Sequence, residues 1–228
     1  DLDNISKPTP KDWSNYIKGV IVELEKRGIK IGAFDAGILS TVPLSAGMSS
    51  SAALEVAASF AFSKLFNINL AKEDWARVGQ GVENNYMGLK SGLLDQFSSI
   101  FGKENSLILC DFRDVKVLKT VPVPEGYCFV VGNSMVKHNL VESDYNLRRA
   151  SCEKAVEGIK KKYPEVKALR DVSQAMLDSC KDLMDKVDYL RACHVVGEDE
   201  RVMKAEKALE HGNTQEFGKL LFESHASS

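Results

Sequence analysis

Three groups of residues in this chain have the types and spacing to do chemistry. The first is the run Ser45, Ala46, Gly47, Met48, Ser49, Ser50 and Ser51, which leads directly into Ala52, Ala53 and a long apolar stretch ending near Phe66. A helix starting here points its first N–H groups and the positive end of its dipole at whatever sits above it, while Gly47 permits the tight turn. That arrangement suits a phosphate. The same letters also describe plain serine caps on a core helix. No Gly-Lys-Ser/Thr follows Gly47, so this is not a Walker loop. The second group is Glu83, beside the apolar stripe of Val78 and Val82; a lone glutamate on a helix is ordinarily solvated. The third is Asp95, in the first turn of a short helix, with Gly92, Leu93, Leu94, Phe97 and Ile100 around it. An aspartate there complements the helix dipole, worth about 0.3–1 kcal/mol. Among apolar neighbours, a carboxylate otherwise needs a specific partner or a function.

The elements that must position these groups can be read from periodicity. Residues 11–27 place Trp13, Tyr16, Ile17, Val20, Ile21 and Leu24 at helical spacing, with Gly28 as the stop. Residues 29–42 alternate loosely and predict a strand or hairpin feeding the serine loop. The helix after Ser51 is apolar on nearly every face, which predicts burial between layers. Residues 72–86 predict a second helix with Trp75, Val78, Val82 and Tyr86 inward, then a break at 88–92 and the short helix carrying Asp95. Residues 115–123 and 126–133 read as strands, and Pro122 and Pro124 mark a domain boundary. Helices are predicted at 144–163, 173–183, 189–209 and 214–222; the first ends in Lys160, Lys161 and Lys162, a solvated end favoured by the dipole. His138, beside Lys137, comes after a strand and could line a cleft; His194, His211 and His225 are scattered without metal spacing.

Bulk properties exclude several classes. The chain has 228 residues, 44% hydrophobic and 27% charged, with a net charge of −2, so no basic field points to nucleic acid or an anionic membrane. It has no apolar run of the roughly 18 residues that a membrane helix needs. The start, Asp1-Leu2-Asp3-Asn4, lacks the pattern of a signal peptide. Five cysteines without CxxC spacing read as reduced thiols, which places the protein in the cytoplasm.

The letters around the three groups carry a resemblance. Pro43-Leu44-Ser45-Ala46-Gly47-Met48-Ser49-Ser50-Ser51-Ala52-Ala53 resembles the second motif of the GHMP kinases, Pro-x-x-x-Gly-Leu-x-Ser-Ser-Ala. Leu54-Glu55-Val56-Ala57 resembles the galactokinase branch in particular. Gly92-Leu93-Leu94-Asp95-Gln96-Phe97 is similar to that branch's Gly-Ile-Met-Asp-Gln segment, and Glu83 matches the glutamate of its Gln-x-x-Glu-Asn segment. Leu107–Arg113, Ser143–Glu153 with its Tyr145-Asn146-Leu147-Arg148-Arg149, Ala168–Val172 and Glu223–Ser227 resemble family segments in the same order. The matches span nearly the whole chain.

The resemblance implies an α+β fold of two domains, both partial here. Residues 1–121 would be the end of a mixed-sheet, nucleotide-binding domain, and residues 122–228 the first part of a ferredoxin-like layered domain. It implies phosphoryl transfer from MgATP to the anomeric hydroxyl of galactose. The alternatives are a non-catalytic sugar and nucleotide sensor, or a kinase for another sugar. By position, Ser45, Ala46, Gly47, Met48, Ser49, Ser50 and Ser51 would hold ATP, and Ser51 and Glu83 the Mg2+ ion or its water shell. Asp95 would face the sugar hydroxyl as the catalytic group, with Gly92 and Tyr145 as further sugar contacts. The family's amino-terminal segment with its sugar ligands and arginine has no counterpart in this sequence, nor does its third, glycine-rich motif. The sequence therefore reads as a fragment of a longer kinase, inactive or weak by itself. Its unpaired sheet edges would favour self-association.

Overall fold

The computed structural model describes residues 4–44, 46–133, 135 and 145–228. Ser45, the Lys137–His138 pair and the Ser143-Asp144 part of the Tyr145 segment lie outside the described residues. Two compact units are present: Asp1–Thr120 with Phe129–Ser143, and Val121–Cys128 with Asp144–Ser228.

In the first unit, α1 (Asn15–Glu25) buries Val20, Ile21 and Leu24. It ends where periodicity ends: Gly28, at φ 78°, turns the chain so that the Ile29 N–H reaches Leu24 O at 3.0 Å. Helix α2 (Ser50–Leu65) and α3 (Lys72–Gly81) pack on α1, and α3 runs on into a single π-helical turn, Val82–Tyr86. Helix α4 (Leu94–Phe101) closes the group, with Phe97 completely buried. The shared core is Val20, Leu24, Val56, Phe62, Trp75, Val78, Val82, Phe97 and Ile100. Strands β1 (Ser106–Asp111) and β2 (Lys116–Pro122) form the two-stranded sheet. Residues 112–115 join them, too short a link for a parallel crossover, so the pair is a hairpin. Asp111 Oδ1 holds the turn by accepting the Arg113 N–H at 2.9 Å.

The second unit is helical. Helix α5 (Tyr145–Lys160) and the long α7 (Lys186–Glu210) pack together through Ala155, Ile159, Ala192 and Val196, with short α6 (Gln174–Asp178) contributing Leu177. Helix α8 (Thr214–Ser227) lies along α7, where Ser224 donates to Glu198 at 2.7 Å.

The molecule is thus α+β but mostly helical, and several expectations are corrected. Residues 29–42 and 126–133 carry no strand among the described residues: apolar alternation buries Ile31, but a strand exists only where a neighbour completes its ladder. The mixed sheet of the first unit is therefore a two-stranded hairpin, and the layered sheet expected of the second is not found among its described residues. Helix α2 is not buried all round, since Phe60 is exposed and Leu65 is 62% exposed. Trp13 lies before α1 and faces solvent. The helix expected over 173–183 is α6 with a 3-10 turn, Lys181–Leu183, after it.

Candidate active site

The serine loop enters the start of α2 by an unusual backbone. Ser49 sits at φ 54°, ψ 40°, a left-handed conformation that an L-residue adopts at some cost, and Gly47 is also left-handed at φ 69°. Helix α2 then begins at Ser50, and Ala53 N–H bonds Ser49 O at 3.0 Å. The expected hydroxyl cap is not formed: Ser49, the N-cap residue, makes no side-chain cap bond. A left-handed N-cap carries its hydroxyl away from the N–H groups of the first turn, because the usual cap uses extended backbone. Ala46, Gly47, Met48, Ser49 and Ser50 are exposed or half-buried, while Ser51 is buried.

Ser51 turns inward instead. Its hydroxyl donates to Glu83 Oε1 at 3.3 Å, tying the first turn of α2 to the π-helical turn after α3. Glu83 is buried, and its other oxygen accepts from the Ser91 hydroxyl. Ser91 also meets Asn84 Oδ1 at 3.2 Å, and Gln80 Nε2 donates to the Ser91 carbonyl at 3.3 Å. The extra residue in a π-helical turn rotates the downstream backbone relative to an ideal α-helix, and such turns are frequent at functional sites. Burial pushes the Glu83 carboxyl up; the Ser91 bond opposes this, and the charge of Asp95 adds to it.

Asp95 is half-buried in the first turn of α4, near enough for its charge to raise both Glu83 and Glu55. Leu94 beside it is 61% exposed, so the apolar surround expected from sequence is one-sided. Gly92 is exposed, and a methyl placed on it would meet nothing within 4 Å. Protein packing therefore does not require glycine there. The first unit thus gathers Ser51, Glu83 and Asp95 from α2, the π-helical turn and α4, with Gly92 on the link just before α4. Tyr145 belongs to the second unit, where it opens α5 and is 43% exposed.

Three residues of this neighbourhood were given no role by sequence reasoning. Ser91 holds Glu83 in place. Glu55 and Gln96 are both fully buried and bond across α2 and α4, Gln96 Nε2 donating to Glu55 Oε2 at 3.1 Å. Burial lifts the Glu55 carboxyl to about 9, the Glu83 charge adding, the Gln96 bond opposing and the Asp95 charge adding again. A signal existed: a glutamate in a helix otherwise apolar on nearly every face has no solvated side on which to sit.

An oxygen-only set of hydroxyl and carboxylate suits a hard cation that takes one or two ligands from protein. Ser51 and Glu83 fit this description, and the charge acting on Glu83 is that of another carboxyl, Asp95. Among the described residues no cluster of three or more His, Cys, Asp or Glu side chains could hold a metal by itself. No described helix is long and apolar enough to cross a membrane.

Comparison with known proteins identifies the family. Residues 15–103 match the profile of the GHMP kinases N terminal domain, a stretch that contains the loop, Glu83 and Asp95. The chain belongs to the galactokinase family of the GHMP kinase superfamily. It is 39% identical over 226 residues to the galactokinase of Roseiflexus sp. strain RS-1, covering 99% of this chain and 57% of that one. It is 38% identical over 218 residues to the galactokinase of Thermotoga maritima, covering 94% of this chain and 59% of the relative. Among solved structures, Lactococcus lactis galactokinase complexed with galactose superposes with a TM-score of 0.86 at 35% identity, covering 100% of this chain and 59% of that one. The chain therefore spans less than two thirds of the length of these relatives.

Proposed function

We propose that the protein containing this chain transfers a phosphoryl group from MgATP to the anomeric hydroxyl of galactose or a closely related sugar. The observation that carries this reading is the buried Ser51–Glu83 contact, which brings an oxygen-ligand pair to the foot of the serine loop. Residues 45–51 hold the ATP phosphates through their backbone N–H groups, and Ser51 and Glu83 hold Mg2+ directly or through water. When bound, the ion would offset the charge of the phosphate oxygens. Asp95 faces the sugar hydroxyl, orienting it or accepting its proton. The open space around Gly92 leaves room for a sugar to approach the backbone closely. Tyr145 is assigned as a further sugar contact by its match to the family's tyrosine alone.

In this reading residues 1–121 close the nucleotide-binding domain and residues 122–228 open the second domain, and the enzyme works in the cytoplasm. The test is ADP formation by the full-length gene product with MgATP and a panel of hexoses. Galactose-dependent ADP release supports the reading. Release with a different hexose alone would reassign the substrate, and binding of nucleotide and sugar without ADP would make the protein a sensor.

A further inference from the structure

The site as described uses Ser51, Glu83 and Asp95 but leaves Glu55 without a task. Glu55 lies one helical turn after Ser51 on α2 and is fully buried. Its partner Gln96 comes directly after Asp95 on α4 and is fully buried too. Gly79 of α3 closes over the pair: a methyl there would stand 2.8 Å from Gln96 Cγ and 3.1 Å from Glu55 Oε2. Three helices therefore meet at a single hydrogen bond. Glu55 Oε1, Gln96 Oε1 and Ser59 Oγ, all buried, have no partner among the described residues. Two leucines would fill such a space without unpaired oxygens, so this pair is a poor choice for stability alone. A hydrogen bond, unlike an apolar contact, has a preferred direction and so sets the register of the elements it joins.

We propose that the Glu55–Gln96 pair is a positioning device for phosphoryl transfer: it locks the first turn of α4 to α2 and holds Asp95 in register with Ser51 and Glu83. The inference rests on the kinase reading of the site. Glu55 works as a neutral carboxylic acid, kept protonated by its burial; the ionisable groups acting on it or acted on by it are Glu83, Asp95 and Tyr16. A neutral acid carries an O–H donor and a carbonyl acceptor; the glutamine amide likewise keeps a donor group and a carbonyl acceptor, whereas leucine keeps the volume and offers neither.

The experiment compares Glu55→Gln, Glu55→Leu and Gln96→Leu in the full-length gene product. It reads thermal melting, hydrogen exchange of the amides around Asp95, and kcat and KM. Glu55→Gln should stay within about twofold of the parent kcat, since the hydrogen bond survives. Glu55→Leu and Gln96→Leu should lower kcat by about tenfold or more, the scale of a misplaced reacting group, with KM for ATP changed by less than about threefold. In both, amides of the first turn of α4 should exchange about tenfold faster. Glu55→Leu with parental kcat and exchange at parental melting would overturn the proposal. So would a Glu55→Gln variant as slow as Glu55→Leu. If Glu55→Leu fails to fold, Glu55→Gln and Gln96→Leu decide by the same criteria. If the parent itself forms no ADP, the kinase reading falls, and the exchange measurement alone decides whether the pair holds α4.

Discussion

Gly19 offers a direct test of how the site is braced. It sits in the middle of α1, where glycine is normally a cost: alanine should add about 1 kcal/mol by helix propensity. The structure reverses that expectation. A methyl on Gly19 would lie 2.5 Å from Val82 Cγ1 and 3.1 Å from Tyr86 Cδ1. Ordinary contact between carbons begins near 3.5 Å, so relief requires about 1 Å of movement. Val82 is fully buried and β-branched, with little rotamer freedom to yield. Overpacking of this kind costs about 1–3 kcal/mol. Set against the propensity gain, Gly19→Ala should destabilise by about 1 kcal/mol, lowering the melting temperature by about 2–4 °C. Movement of Val82 also moves Glu83, the next residue, so Mg-dependent nucleotide affinity should fall along with stability. Calorimetric melting and titration of MgATP check both effects. In a cycle with Val82→Ala, the coupling should be favourable by about 1 kcal/mol, because the smaller side chain admits the methyl. A Gly19→Ala variant that melts higher than the parent, with no coupling to Val82, would refute the close approach of α1 to the π-helical turn.

Named contacts elsewhere set three further outcomes. Asp95→Asn should abolish sugar-dependent ADP formation while costing no more than about 1 kcal/mol of stability, its share of the helix dipole; turnover near the parent rate would remove Asp95 from the chemistry. Glu55 has its carboxyl raised from 4.5 to about 9 in the folded protein, so the folded state holds a proton that the unfolded state has lost. Its stabilising contribution is complete below the unfolded value and disappears as pH rises through the folded one. Stability should therefore fall with pH across that window more steeply in the parent than in Glu55→Gln, measured as denaturation midpoints at a series of pH values. In the second unit, Asp171 Oδ2 accepts the Lys167 and Ala168 N–H groups at 2.9 and 3.0 Å, so Asp171→Ala should destabilise that unit by about 1 kcal/mol in urea unfolding, whereas an unchanged midpoint would deny the cap a role.

The helices were legible because each writes its own signal. The stripe Tyr16, Ile17, Val20, Ile21, Leu24 and the stop at Gly28 define α1 without reference to anything else, and Trp75 and Val78 do the same for α3. Strands formed only where a short link supplied the partner, as between β1 and β2. Residues 29–42 and 126–133 have strand-like alternation, yet a ladder needs a second chain segment that local sequence does not name. The serine cap failed for a related reason: three hydroxyls are compatible with capping, but the left-handed backbone of Ser49 decides that none of the usual geometry is reached.

Sequence alone determined which residue types are available for chemistry, namely the serine loop, Glu83 and Asp95, and on which kinds of element they sit, because helix periodicity, glycine and proline act over a few residues. Tertiary structure alone decided that Ser51 meets Glu83, that Ser91 orients it, and that Glu55 and Gln96 are buried against each other beneath Gly79. Ser51 and Glu83 are 32 residues apart and Glu55 and Gln96 are 41 apart. Contacts at that separation depend on how three helices cross, and crossing is set by side-chain packing on all of them together rather than by the pattern of any one.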